Sequence, residues 1–150
     1  MGLDMYLTAR RSFWDYEDQG ENARKVLALF PELPEEVETS GTAVSVNFGY
    51  WRKANAIHNW FVENVQDGKD DCQESWLSPD NIQSLLDTVN KVLADTTLAP
   101  SLLPTTEGFF FGGTEYNEWY WRDVEYTKGL LERMLDPKMK DWHFYYQASW

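Results

Sequence analysis

Apolar positions along the chain switch between two spacings, and the switches mark the elements. Leu3, Met5 and Leu7 alternate with Asp4, Tyr6 and Thr8, which predicts a strand over the first residues. Arg10 to Gln19 mixes aromatic and charged residues without a period and reads as a loop. Asn22 to Phe30 places Ala23, Val26, Leu27 and Phe30 on one side of a short helix that Pro31 and Pro34 end. Glu35, Glu36 and Glu38 follow in an exposed connector. From Thr42 to Phe48, Ala43, Ser45 and Asn47 alternate with Val44, Val46 and Phe48, a second strand. Gly49 breaks it. Beyond it, Tyr50, Ala54, Ile57, Phe61 and Val65 fall at helical spacing, which predicts a helix closed by Gly68.

Asp67 to Asp80 is acidic and irregular. Ser78-Pro79-Asp80 then carries a complete helix start: a capping hydroxyl, a proline at the first helical position and an acid beside the positive dipole end. Ile82, Leu85, Leu86, Val89, Val92 and Leu93 form the stripe of that helix. Phe109, Phe110 and Phe111 lie between glycines and predict a buried strand or strand-like turn. Thr114 is placed to cap a helix from about Glu115 to Leu135, with Tyr116, Tyr120, Thr127, Leu131 and Met134 near one face. Trp142 to Trp150 alternates again and predicts a terminal strand. The expected fold is α+β: one domain over 1–150, a small sheet of three to four strands, antiparallel or mixed, with about four helices packed on it.

Composition narrows the function classes. The chain has 150 residues, and 13 Lys+Arg against 25 Asp+Glu give a net charge of −12. That balance argues against bulk nucleic acid as a partner, because binding to a phosphate backbone needs clustered cations. No run of roughly 18 apolar residues marks a membrane span. The opening residues lack the basic-then-apolar order of a secretory signal, and the single Cys72 makes no intrachain disulfide. The expectation is a cytoplasmic protein with no membrane association. Aromatic residues make up 16% of the chain, which permits either a ligand pocket or a homo-oligomer interface.

Candidate chemistry gathers on two segments. Gly41 to Val62 contains no acid, yet carries Arg52 and Lys53 at the predicted start of a helix. Two cations there oppose the helix dipole, so an internal carboxylate or a bound phosphate or carboxylate is expected to offset them. Trp51, Asn55, His58, Asn59 and Val62 share one side of that helix. Carboxamides suit the edge of a nucleobase or a sugar hydroxyl, and an indole offers a stacking face. His58 is a weak candidate for acid/base work, set against a buried structural histidine. His58, His143, Cys72, Asp70 and Asp71 match no standard zinc spacing, so no metal and no cofactor are expected. Gly112-Gly113-Thr114 lacks the lysine of a phosphate loop and reads as a tight turn. Tyr116, Trp119, Tyr120 and Trp121 cannot all face one core stripe, because successive helical residues lie about 100° apart. At least one of Trp119 and Trp121 is therefore expected in a groove, against another chain or under a loop. Glu115/Glu118, and Asp123 beside Arg122, are carboxylates whose separation the sequence does not supply.

Five blocks carry a resemblance: MGLDMYL at the start, GYWRKANAIHNWFVENVQDGKDDC from Gly49, LLPT from Leu102, GFFFGGTEYNEWYW from Gly108 and FYYQASW at the end. Together they resemble an uncharacterised small protein family of bacteriophage, prophage and bacterial genomes, which brings no activity or catalytic residue with it. What the resemblance implies is a phage-type accessory protein in the cytoplasm of a bacterial host. The leading expectation is a non-catalytic binder of a small polar or phosphorylated, nucleotide-like ligand, sequestering it and so countering host defence. Its site would join Trp51, Arg52, Asn55, His58 and Asn59 to Tyr116, Trp119 and Trp121. Two alternatives stand beside it: an acidic inhibitor docking on a host protein, and a small enzyme on a nucleotide or sugar with His58 as acid/base and Glu115 or Glu118 assisting.

Overall fold

The structure, a computed structural model, describes residues 2–14 and 19–150. The elements run β1 (Asp4–Phe13), α1 (Gln19–Leu27), β2 (Thr42–Arg52), α2 (Asn55–Val65), β3 (Ser75–Leu77), α3 (Pro79–Ala94), α4 (Ala99–Leu102), α5 (Glu118–Met134) and β4 (His143–Ser149), with single 3-10 turns at Thr96–Leu98 and Pro137–Met139. The four strands form one antiparallel sheet in the order β2-β1-β4-β3. The fold is α+β, as the alternation of periods predicts.

Period-two burial makes one face of the sheet the floor of the core. Met5, Leu7 and Ala9 of β1 and Phe144, Tyr146 and Ala148 of β4 are buried, while Tyr6 and Gln147, paired across the two strands, face outward and are exposed. Onto the buried face pack Ile57 and Phe61 of α2, Leu85, Val89 and Val92 of α3, and Val124, Leu130 and Leu131 of α5. The α3 start is as its sequence dictates. The Ser78 hydroxyl accepts from the Asn81 N–H at 3.0 Å, and the Asn81 carboxamide oxygen accepts from the Ser78 N–H at 3.1 Å, a reciprocal cap beside Pro79.

Several expectations are corrected. The predicted loop from Arg10 begins as strand, because β1 runs on to Phe13 in register with β2; residues 15–18 of that loop lie outside the described residues. The predicted helix from Tyr50 starts five residues later. β2 passes a bulge, in which Leu7 pairs with Gly49 and Thr8 with Asn47, so Phe48 is an extra residue. An extra residue switches which side chains face the core, and this ends the period-two pattern without ending the strand. Gly49 is needed there: a Cβ on it would stand 2.6 Å from Leu130 Cδ1. Tyr50 is thus a strand residue on the open face, its ring 5.5 Å from that of Tyr6 and its hydroxyl donating to Asp4. The acidic stretch before α3 contains the short strand β3. Of the two expectations for the Phe109 to Phe111 run, the buried strand is corrected and the turn holds: Phe109 and Phe110 are 77% and 47% exposed on a turn, and only Phe111 is buried. Asn117, not Thr114, caps α5, its side chain accepting from the N–H groups of Trp119 and Tyr120. Among the described residues no helix is long and apolar enough to cross a membrane.

Candidate functional site

The turn between β2 and α2, the loop over residues 105–117 and the first two turns of α5 enclose a cleft of about 370 Å³, within the range of small-molecule sites. Its construction begins with Asn55, the first residue of α2. The Asn55 carboxamide donates to the carbonyls of Phe111 at 3.1 Å and Gly113 at 2.9 Å, and its oxygen accepts from the Thr106 N–H at 3.0 Å. One buried side chain therefore staples both ends of the loop to the helix start. Gly112 makes the approach possible. It has a φ of +92°, and a Cβ there would stand 3.1 Å from Lys53 Cβ.

Three cations line the cleft: Arg52, Lys53 and Arg122. Arg52 and Lys53 do not lie inside the helix, as the sequence suggests. Arg52 closes β2, and Lys53 takes a left-handed φ of 60° before the cap residue Ala54. Their charges sit beyond the helix end and oppose its dipole less than first-turn residues would. Arg52 approaches Asp4 at 3.9 Å with its side chain 58% exposed, so an internal carboxylate offsets this cation only in part. Ala54 gives no side-chain cap, and the first turn of α2 holds no acid. Ala56 and Ile57 line the cleft at the position where an α-helix leaves N–H groups without internal partners.

α5 supplies the opposite wall. Trp119, Arg122 and Asp123 stand at i, i+3 and i+4 and so share one helix face. The Arg122 guanidinium lies over the Trp119 indole at 4.4 Å from its centroid, and Trp119 remains 55% exposed. Asp123 is half-buried, and among the described residues its carboxylate has no hydrogen bond or ion pair. Burial pushes this carboxyl up to about 6, against the pull of the Arg122 charge. Glu115 completes the charged lining.

Of the eight residues expected at a site, Arg52, Asn55 and Trp119 reach the cleft. Asn55 reaches it as a staple with its amide consumed, so it reads no ligand edge. Trp51 is 3% exposed, donates its indole N–H to Thr127 at 2.8 Å and is ringed by Phe61, Tyr126 and Tyr146; no face is left for stacking. His58 is 1% exposed. Its Nε2 lies 2.9 Å from Asp70, whose carboxylate accepts the N–H, which leaves Nδ1 to accept from the Tyr146 hydroxyl at 2.7 Å. This is the structural histidine, and it has no route to the cleft as an acid or base. Asn59 is half-buried outside the cleft. The Tyr116 hydroxyl accepts from the Thr105 N–H at 3.3 Å, and Trp121 packs on Tyr120 with ring centroids 4.8 Å apart. Lys53, expected with Arg52 to meet a bound anion, also lines the cleft, joined there by two residues outside the expected site, Arg122 and Asp123. The i, i+3, i+4 spacing from Trp119 is the signal that marks the last two. Among the described residues no group of three or more metal-ligating side chains occurs. No protein-family model, curated protein or solved structure matches the chain.

Proposed function

We propose that the cleft binds a small phosphorylated ligand with a planar ring, a nucleotide-like molecule, and that the protein acts by holding it rather than converting it. The observation that carries this reading is the convergence of Arg52, Lys53 and Arg122 with the uncapped start of α2 and the exposed Trp119 around one cleft. Three cations against Glu115 and Asp123 make the cleft locally positive in a chain of net charge −12. Helix N–H groups and guanidinium groups are the usual donors to phosphate, and an indole stacks on any flat base. In a phage-type accessory protein, such binding serves to sequester a nucleotide signal of host defence. Thermal denaturation with nucleoside monophosphates and cyclic nucleotides tests this. A ligand at a hundred times its Kd stabilises by about 2.7 kcal/mol, which a melting curve detects. Arg52→Ala should abolish the shift. The absence of any shift at millimolar ligand rejects the reading.

A second reading, docking on a basic partner protein, is favoured by one observation far from the cleft. Leu29, Phe30, Leu33 and Val37 are exposed between α1 and β2, interleaved with exposed Glu32, Glu35, Glu36 and Glu38. A complex formed there should weaken steeply with salt and be lost in a Leu29→Ser, Phe30→Ser double variant that keeps the nucleotide-induced shift.

A further inference from the structure

The cleft reading accounts for the cations but not for Asp123. An unpaired carboxylate in the wall of an anion site repels the ligand unless it does something for it. Arg122, the adjacent residue, turns its guanidinium onto the Trp119 ring and forms no ion pair with Asp123. The carboxylate therefore faces the cleft with its acceptor capacity unspent. It lies four residues beyond Trp119, about 6 Å along the helix axis on the same face. A ring stacked on the indole presents its edge, rather than its face, to a group displaced that far.

We propose that Asp123 selects the base: the cleft takes a guanine nucleotide, with the carboxylate accepting from N1–H and from the exocyclic amino group. The inference rests on the cleft being a nucleotide site and deepens that reading. A carboxylate has two acceptor oxygens and no donor, so it matches an edge with two adjacent N–H donors. Guanine alone among the common bases has one. Adenine and cytosine each set a ring-nitrogen lone pair beside their amino group, and that lone pair would meet the carboxylate. Uracil sets its single N–H between two carbonyls. Arg52, Lys53 and the start of α2 remain for the phosphate.

Isothermal titration of the full chain at pH 7.5 with GMP, IMP, AMP and ribose 5-phosphate tests the proposal. GMP should bind tightest. IMP, which lacks only the exocyclic amino group, should be weaker by about tenfold, and AMP weaker again, as expected for a lost bidentate contact. Asp123→Asn should lower the affinity for GMP, relative to that for ribose 5-phosphate, by about tenfold or more. Equal binding of GMP and AMP by the unaltered chain overturns the selection by Asp123 and leaves the nucleotide site standing, and this result needs no variant to fold. A GMP preference that survives Asp123→Asn also overturns it. Heat from none of the four ligands at millimolar concentration rejects the cleft reading, and the inference with it.

Discussion

Two regions of this molecule use the same residue types to opposite ends. Around Trp51 and His58, rings, a carboxylate and amides close on one another. Trp51 bonds to Thr127, His58 spans Tyr146 and Asp70, and Asp70 also accepts from the Trp150 indole at 2.9 Å. Among the described residues, no buried side-chain nitrogen or oxygen there lacks a partner. Around Trp119 the rings and charges stay open. The guanidinium lies on the indole face, and among the described residues the Asp123 carboxylate has no hydrogen bond or ion pair. Residue chemistry does not separate a polar core from a binding site. What separates them is whether the donors and acceptors are used up internally.

The sharpest way to break the comparison is to remove an indole from each region, and the larger effect belongs to the closed one. Trp51→Ala removes a buried ring that touches three others and leaves the Thr127 hydroxyl without its donor. Losses of this kind cost about 3–5 kcal/mol, a large part of the stability of a domain this size. Urea unfolding followed by far-ultraviolet circular dichroism should show the midpoint collapse, with little folded protein at 37 °C. A loss below about 1 kcal/mol would mean that Trp51 is not the buried member of the pair.

Asn55 joins the two regions and should come next. Asn55→Ala leaves the Phe111 and Gly113 carbonyls and the Thr106 N–H without their partner. The expected cost is about 2–3 kcal/mol, since water can reach some of these groups through the cleft. Hydrogen exchange gives the more specific readout. The Thr106 amide should lose protection strongly, while amides in the middle of α3 change only with global stability. Uniform loss of protection would show that the loop is held by something other than the staple.

How far the sequence carries the reader also differs between regions. α3 is fully legible because cap, proline, first-turn acid and apolar period agree. β2 and α2 are not. The bulge at Phe48 moves the apolar face by one residue, and Tyr50, Ala54, Ile57 and Phe61 imitate a helix across a strand end. β3, with three residues, is too short to show a period. At the cleft, the excess of rings on the start of α5 shows that one must leave the core, and Trp119 does. Arg122 and Asp123 read as ordinary helix-surface charges. What half-buries Asp123 in the cleft wall is long-range packing, which no local pattern encodes. Trp51, Asn55 and His58 show the spacing expected of one helix face, but the partners that occupy their side chains lie from 12 to 88 residues away.

Asp123 gives the open region a pH signature. Its folded carboxyl is raised from 3.8 to about 6 by burial, so the folded state holds a proton that the unfolded chain has already released between those values. The contribution of Asp123 to stability therefore falls as pH rises from about 4 to about 6 and stays level above. Arg122 on its own helix is the charge that acts on this group, and Arg52, Lys53 and Glu115 are the other charged residues lining the cleft. Asp123→Asn should match the parent below pH 4 and exceed it above pH 6, by about 1 kcal/mol once solvent screening of a half-buried group is counted. Parallel stability curves for the two proteins between pH 4 and 7 would contradict the burial of this carboxyl.

The smallest effect on stability is expected where the effect on binding is largest. Trp119→Ala removes a ring that is 55% exposed and contacts the Arg122 guanidinium. An exposed cation–ring contact contributes about 0.5–1 kcal/mol, and Asn117 still caps the helix, so unfolding should shift by no more than that. A base stacked on an indole gains about 1–3 kcal/mol, so nucleotide affinity should drop between roughly 5-fold and 150-fold, while ribose 5-phosphate, which has no base, should bind nearly as before. The open region is defined by this inverse relation between stability and binding. If Trp119→Ala unfolded the protein as Trp51→Ala does, both indoles would be core residues and the cleft would lose its stacking wall.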